Sequence, residues 1–500
     1  MVATQMHTGV TLGELLSDLP LHDSLSSLVV TGLCLDSRQL RPGDLFFAIP
    51  GLAVDGRDFI EQASTAGAAV ILAEAEGLQV SGANVIPVAG LSRKISDIAG
   101  RFYGEPSEHL TLTGVTGTNG KTTCSQLLAQ LFSLAGRSSA VIGTLGHGTY
   151  RNGVVTLTDT GMTTPDAVVV QQLLAEYASA NVEYLAMEVS SHSLDQYRVE
   201  GLRFTTAVFT NLSRDHLDYH GDLVSYAQAK MRLFSMVGLE QAVINVDDPV
   251  GAEIAANLPA GVELYGYSLS NPGAAISAMD IKLSPRGLEA TVHTPWGVGQ
   301  LSSSLLGRFN LENLLAVVAV ACIQGLSLET VLSLIPRLQP VVGRMELVGD
   351  GKGPQVVIDY AHTPDALQKA LMTLRDHCEK QLWCVFGCGG NRDAGKRPQM
   401  GGIAARYADR VVVTSDNPRH ENADEILRDI LSGITAQESV EMVADRAEAI
   451  RYAIANAADG DVILVAGKGH EDCQLVGDQR LPFSDHKEVR LALCQRGGCQ

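Results

Sequence analysis

The chain has no tight cysteine pairs, no basic tract and no long apolar run, and each absence closes off a class of protein. Its nine cysteines (Cys34, Cys124, Cys322, Cys378, Cys384, Cys388, Cys473, Cys494 and Cys499) are scattered, and no two stand at the CxxC spacing of a zinc knuckle or redox site. Cys384 and Cys388 flank a strand end and read as buried thiols, and the set as a whole fits a reducing compartment. Lys and Arg number 37 against 56 Asp and Glu, a net charge of -19 without any Lys/Arg block. Such a surface is not built to hold nucleic acid. It also does little for a small anionic ligand, so local Arg, Lys, metal and backbone N–H groups must hold one. The longest apolar run, Leu314–Ile323, falls far short of the ~20 residues of a membrane span. No charged segment followed by an apolar one marks a signal peptide. The expectation is a soluble, cytoplasmic monomer with no membrane partner. Internal repeats, coiled-coil heptads and low-complexity tracts are also missing.

What is present is an ordinary globular composition, 45% apolar and 19% charged. Five hundred residues exceed one core, and at roughly 100–200 residues per domain about three domains are expected. Residues 1–105 carry short apolar strands, such as Asp44–Ile49 and Ala68–Ala73, between glycine-rich turns. Gly100–Glu108, with Gly104 and Pro106, reads as a linker. Residues 106–341 alternate strands (Leu110–Val115, Ser139–Gly143, Tyr184–Val189, Thr206–Thr210, Gln241–Asn245) with helices (Asp166–Ser179, Leu223–Met236). Residues 261–305 look like a β-rich insertion, and Asn313–Gln324 reads as a helix. Residues 342–500 repeat the rhythm, with strands at Val356–Tyr360, Leu382–Gly387, Arg410–Ser415 and Val462–Ala466. The reading is α/β throughout: a smaller N-terminal α/β domain, a central P-loop-type domain on a mostly parallel sheet, and a C-terminal Rossmann-like domain.

The most informative segment is Thr116-Gly117-Thr118-Asn119-Gly120-Lys121-Thr122-Thr123. A strand runs into a glycine turn, and a helix follows from Thr122. Glycines let backbone N–H groups approach phosphate oxygens, and the helix N-terminus adds partial positive charge. Lys121 can reach the outer phosphates of ATP, and the Thr122 hydroxyl can hold Mg²⁺. The strict GxxxxGK[ST] pattern wants glycine where Val115 stands, so the loop is a variant. Glu188 closes a predicted strand, and the carboxyl ends of strands line the ligand crevice in open α/β sheets. His216 lies one strand further on, in a loop crowded with Asp215, Arg214 and Asp218. On its own it reads equally well as an ordinary loop histidine or a ligand. By spacing alone, Lys230 on the following helix reads as a solvated surface residue.

Taken together, TGTNGKTT at 116–123, MEVSSH at 187–192, NLSRDHLDYH at 211–220 and the Lys230 helix resemble the ATP-dependent Mur ligases, which build the peptidoglycan stem peptide. LGRFNLEN at 306–313, GRMELV at 343–348 and DYAHTPDAL at 359–367 extend the match to nearly the whole chain. LDSR at 35–38, VDGRDF at 54–59, FGCGGNRDAGKRP at 386–398, DNPR at 416–419 and GKGHED at 467–472 are most similar to the members that add 2,6-diaminopimelate.

The resemblance implies an ADP-forming ligase that activates the D-glutamate carboxylate of UDP-MurNAc-L-Ala-D-Glu as an acyl phosphate and couples it to meso-diaminopimelate. It implies uridine-nucleotide binding in 1–105, ATP binding in 106–341 and amino-acid binding in 342–500. By position, Lys121, Glu188, His216 and Lys230 become the catalytic group, and Thr122, Glu188, His216 and Lys230 the Mg²⁺ ligands, with Lys230 carried as N6-carboxylysine. Gly117, Thr118, Asn119, Gly120, Lys121, Thr122, Thr123, Asn313, Arg344 and Asp359 are the implied ATP contacts. Leu35, Ser37, Thr163, Thr164, Ser190, Gln196 and Arg198 are the implied muramoyl-dipeptide contacts. Met162 departs from the pattern, standing where these members often carry asparagine. Arg392, Asp416, Asn417, Pro418, Arg419, Gly467 and Glu471 are the implied diaminopimelate contacts. A guanidinium grips a carboxylate bidentately, so Arg419 suits the distal carboxylate that lysine lacks, and Glu471 can take the distal ammonium. By itself DNPR reads equally as a simple Asn-Pro turn with Arg419 in solvent. A lysine-adding Mur ligase, a folylpolyglutamate synthase and a non-catalytic nucleotide-binding protein are the competing readings.

Overall fold

Buried parallel strands, read in the sequence as short apolar runs, organise the chain. The computed structural model describes residues 9–497 apart from 20, 52–53, 80–81, 83, 350–352 and 436–438. Two compact units emerge: Met1–Tyr267 with Ala319–Gln324, and Ser268–Val318 with Gly325–Gln500.

The first unit contains a short antiparallel pair, Val10–Thr11 with Val29–Val30, and two larger sheets. A small parallel sheet runs Gly32–Cys34, Asp44–Ala48, Val70–Glu74, Val85–Val88. In the large sheet, Ser139–Gly143, Tyr184–Glu188, Thr111–Thr116, Thr206–Phe209, Gln241–Asn245 and Glu263–Ser268 lie side by side and parallel. Antiparallel strands Gly146–Arg151 and Val154–Val155 extend one edge. Helices Lys121–Leu134 and Ala167–Ser179 flank the sheet, the second capped by Asp166, which accepts from two backbone N–H groups.

The second unit opens with an antiparallel meander, Ile276–Ser284, Gly287–Thr294 and Gly297–Ser303, where the β-rich insertion was expected. Its main sheet runs Glu346–Val348, Gln355–Asp359, Val462–Ala466, Leu382–Phe386, Arg410–Val413, Val440–Met442. All but the first pair are parallel. The expected α/β class holds, and the strands Ser139–Gly143, Gln241–Asn245 and Val462–Ala466 match to the residue. Among the described residues no helix is long and apolar enough to cross a membrane.

Three local expectations fail. Gly100 is no linker residue but lies inside the helix Leu91–Tyr103, whose left-handed C-cap is Gly104. A side chain at Gly100 would meet the Glu105 carboxylate, so packing selects glycine there. The helix expected from Asn313 begins at Arg308. The helix after Asp222 ends at Met231 and tightens into a 3₁₀ turn over Arg232–Ser235.

Candidate active site

Thr111–Thr116 is buried beyond its first residue and delivers the glycine loop to the carboxyl edge of the large sheet. Val115 is a fully buried strand residue, so the turn begins only at Gly117. That glycine has φ 143°, and a Cβ on it would collide with the Thr210 hydroxyl. Gly120 (φ 87°) turns the chain into the helix, which starts at Lys121. The loop is stitched to the next strand's end. Thr118 N donates to Asn211 O at 2.8 Å, Asn119 N to Asn211 Oδ1 at 3.0 Å, and Thr210 Oγ1 to Asn119 O at 2.6 Å. The Lys121 ammonium folds over its own loop, donating to Gly117 O at 2.9 Å and Thr118 O at 2.8 Å.

Glu188 ends the central strand with no exposure. Its carboxylate accepts from Thr122 Oγ1 at 3.0 Å, Thr144 N at 2.8 Å and Thr144 Oγ1 at 3.0 Å. Burial pushes this carboxyl above its ordinary range, against Lys121 and those three donors. Gly143 must be glycine, because a Cβ there would strike the Glu188 carboxylate. Hard oxygen donors from Thr122 and Glu188 meet at one point, the donor chemistry Mg²⁺ prefers. Among the described residues no group of three or more His, Cys, Asp or Glu forms a metal cluster. Mg²⁺ commonly takes only one or two carboxylates beside phosphate and water, so the pair fits it.

The surface reading of Lys230 is overturned: the side chain is 1% exposed. Its ammonium donates to Gly117 O at 2.7 Å and lies 4.5 Å from the centre of the Tyr226 ring. Burial, reinforced by the charge of Lys121, pushes it well below the ordinary lysine range. As an ammonium it repels a cation; only a carboxylated amine there would supply a ligand oxygen. His216 is exposed in a left-handed conformation (φ 52°). It stands 3.6 Å from Asp215, with its ring edge-on to His192 at 4.9 Å.

Thr163, Thr164, Ser190, Gln196 and Arg198 come together beside Glu188. Thr164 Oγ1 donates to Glu188 O at 2.8 Å and accepts from Ser190 N at 3.1 Å, and Thr163 Oγ1 lies 3.1 Å from Thr144 Oγ1. Arg198 donates to Thr164 O at 2.8 Å and to Gln196 Oε1 at 2.6 Å. The departing Met162 places its sulfur 3.4 Å from the same guanidinium. Leu35 and Ser37 stand just past Gly32–Cys34 of the small sheet, with Leu35 packed against the core cluster that includes Ala167 and Val168.

In the second unit, Asp416–Arg419 follow the strand Arg410–Val413, and Gly467–Glu471 follow Val462–Ala466. Asn417 Nδ2 donates to Glu471 Oε2 at 2.9 Å. Arg419 is half-buried, not solvated: φ is 51°, and its guanidinium donates to Gly390 O at 2.9 Å. Pro418 is buried and Arg392 is exposed. Burial raises the Asp416 carboxyl, opposed by Arg446 and Lys468. For Glu471 burial acts upward, but Lys468 and Asn417 outweigh it and hold the carboxyl below its ordinary range. Asp359 accepts from Met345 N at 2.8 Å and Ala361 N at 2.9 Å, while Arg344 stacks 5.0 Å from the Tyr360 ring centre. Asn313 is buried on its helix and donates to Asn310 Oδ1 at 3.2 Å.

The comparisons follow this geometry along the chain. Residues 115–321 match the description "Mur ligase middle domain", 343–469 "Mur ligase, glutamate ligase domain" and 29–103 "Mur ligase family, catalytic domain". A UDP-N-acetylmuramoyl-L-alanyl-D-glutamate–2,6-diaminopimelate ligase of Pseudomonas aeruginosa is 51% identical over 469 residues, covering 93% of this chain and 95% of its own. The Coxiella burnetii protein of the same name is 46% identical over 475 residues, covering 94% and 96%. The chain belongs to the Mur ligase family. A solved structure, again of a protein with that name, superimposes with TM-score 0.78 at 36% identity, covering 98% of this chain and 99% of that one. A folylpolyglutamate synthase of Mycobacterium tuberculosis shares the fold alone, with TM-score 0.58 at 19% identity over 75% of this chain and 92% of its own.

For this Mur ligase chain, sequence reasoning missed Thr144, Lys468 and Arg446. Thr144 was findable, since it directly follows Ser139–Gly143 and so stands at the crevice edge. Lys468 sat unused inside a motif already singled out. Arg446 carried no signal: it forms a fully buried pair with Asp485, 2.7 Å away and 39 residues later.

Proposed function

We propose that this Mur ligase joins meso-2,6-diaminopimelate to UDP-MurNAc-L-Ala-D-Glu, cleaving ATP to ADP and phosphate, in the synthesis of peptidoglycan precursor. The observation that carries the reading is the Asp416–Arg419 turn, in which a half-buried guanidinium and the Asn417–Glu471 pair are held past the ends of two strands that flank Leu382–Phe386. That arrangement suits a carbon bearing both a carboxylate and an ammonium, and the names of relatives near 50% identity agree with it. Lysine lacks the distal carboxylate and would leave the Arg419 charge unpaired. Functional domains at 1–105, 106–341 and 342–500 accord with the three separately matched segments.

The D-glutamate carboxylate attacks the γ-phosphorus of ATP, and ADP leaves. The diaminopimelate amine then attacks the acyl carbon, loses a proton, and phosphate departs through a tetrahedral intermediate. Lys121 and the amides that open its helix stabilise charge on the transferring phosphoryl group once the ammonium exchanges its loop carbonyls for phosphate oxygens, the Thr118 and Asn119 amides being held by Asn211. Mg²⁺, when bound, neutralises phosphate charge. Thr122 and Glu188 are the residues to hold one ion, and His216 with a carboxylated Lys230 the residues for a second. The depressed basicity of Lys230 supports its modification, since only the neutral amine adds to CO₂. Thr163, Thr164, Ser190, Gln196 and Arg198 orient the dipeptide, Leu35 and Ser37 its uridine end, and Asn313, Arg344 and Asp359 the nucleoside of ATP.

Phosphate release with UDP-MurNAc-L-Ala-D-Glu, ATP and a panel of amino acids tests this. Release with meso-diaminopimelate far above L-lysine is the expected result. Equal or greater release with lysine would move the protein to the lysine-adding branch, and none with any amino acid would end the enzyme reading.

A further inference from the structure

We infer that Lys468 is a specificity-positioning residue: its buried ammonium locks Asn417 and Glu471 into the arrangement that receives the distal ammonium of the amino-acid substrate. This rests on the diaminopimelate reading above and adds to it a residue that never touches the substrate.

The side chain of Lys468 has no solvent exposure, so it cannot itself reach a ligand. Its Nζ donates to Glu471 Oε2 at 2.8 Å and to Asn417 Oδ1 at 3.0 Å, and it lies 4.0 Å from Asp416 Oδ1. Asn417 closes the triangle by donating from Nδ2 to Glu471 Oε2 at 2.9 Å, while its Oδ1 also accepts from Leu475 N at 3.0 Å. The amide is therefore fixed in one orientation, oxygen towards the two donors and nitrogen towards the carboxylate. Both bonds to Glu471 fall on Oε2. Among the described residues no hydrogen bond is made to Oε1, which is left to accept from an incoming ammonium. The backbone is shaped to aim the lysine inward. Gly467 has φ 118°, and a Cβ there would press on the Asp416 carboxylate; Gly469 has φ 53°.

An ammonium buried among an amide oxygen and two carboxylates is costly to leave half-paired, so removing it disturbs all three groups together. The expected consequence is selective. Losing charge-assisted bonds of this kind corresponds to about a 10- to 100-fold effect, and it should fall on KM for meso-diaminopimelate. KM for ATP and for the muramoyl dipeptide should stay within about twofold.

The test compares the full-length protein with Lys468→Met, Lys468→Gln, Glu471→Gln and the Lys468→Met/Glu471→Gln double variant in the phosphate-release assay. Melting temperatures are recorded in parallel. Lys468→Gln keeps N–H donors without charge and should lie between wild type and Lys468→Met. If lysine acts through Glu471, the double variant loses little more than the worse single one. A diaminopimelate KM unchanged in both Lys468 variants would overturn the inference. So would a uniform rise in all three KM values that tracks a fall in melting temperature, or full additivity in the double variant. Wild type inactive on diaminopimelate would instead end the parent reading, so the two failures are distinguishable.

Discussion

Among the described residues two lysines are almost wholly buried, one in each unit, and their surroundings are opposite. Lys468 sits against the carboxylate of Glu471 at 2.8 Å and the oxygen of Asn417 at 3.0 Å. Lys230 has a carbonyl at 2.7 Å and an aromatic ring, with the like charge of Lys121 acting on it. The same contrast runs through both regions. Around the glycine loop, position is fixed by backbone bonds and glycine geometry, and the amines of Lys121 and Lys230 both donate to the Gly117 carbonyl. Around Asp416–Arg419, opposite charges are already paired. A phosphate site can be generic, because every nucleotide brings the same anionic oxygens. An amino-acid site must reject near neighbours, and fixed charge placement does that.

The largest effect should come from removing the Lys121 charge of the first region. Lys121→Ala is expected to lower kcat by about 10⁴-fold, by analogy with other cations that stabilise phosphoryl transfer. KM for diaminopimelate should change little, because the second region needs no help from Lys121. Steady-state phosphate release at saturating substrates measures both; a variant within tenfold of wild-type kcat would remove Lys121 from the chemistry.

Next comes the pair that underpins the second region. Arg446 and Asp485 have no side-chain exposure, and Arg446 also donates to Ala466 O at 3.0 Å and Ser415 O at 3.5 Å, the residues just before the Gly467–Glu471 and Asp416–Arg419 loops. Arg446→Met leaves the Asp485 carboxylate buried and unpaired, at a cost of about 3–5 kcal/mol. Urea unfolding should show a lowered midpoint, whereas an unchanged midpoint would mean that the pair organises nothing.

Much of this was legible beforehand, and the limits have physical causes. Parallel strands buried on both faces read as continuous apolar runs, which is why Ser139–Gly143 and Val462–Ala466 were placed correctly. The start of Arg308–Ile323 was not, because its first turn carries Arg308 and Asn310 rather than apolar periodicity. Gly100 looked like a breaker because the packing that selects it, the Glu105 carboxylate beyond the cap and the Gln171 amide of a later helix, is not revealed by spacing. Lys230 looked solvated because nothing in its helix reports that a loop 113 residues earlier covers it. The Arg446–Asp485 pair was invisible for the same reason.

A smaller effect should separate shape from charge within the second region. Arg419→Lys keeps the positive charge but loses the planar fork. We expect kcat/KM for meso-diaminopimelate to fall about 100-fold while the ATP KM holds, and discrimination against L-lysine to shrink. A variant that keeps wild-type discrimination would show that the guanidinium only holds Gly390 and does not read the substrate.

The smallest effect concerns the two buried lysines themselves. Burial and Lys121 lower the basicity of Lys230, so in the folded protein it carries a proton only when pH falls through that depressed value. Between there and the unfolded lysine value of about 10.4, the unfolded chain binds more protons, so this group makes stability rise with pH across that window. Throughout that window the folded amine is neutral and can add CO₂; protonation at lower pH reverses the addition. Protein held briefly at mildly acid pH and returned to about pH 8 should therefore recover several-fold more activity with bicarbonate than without it. Native mass measurement should report the added carboxyl group at Lys230 and none at Lys468, whose amine is engaged by a carboxylate. A Lys230→Arg protein that is fully active, or a wild type indifferent to bicarbonate, would show that the two buried lysines differ in partners without differing in chemistry.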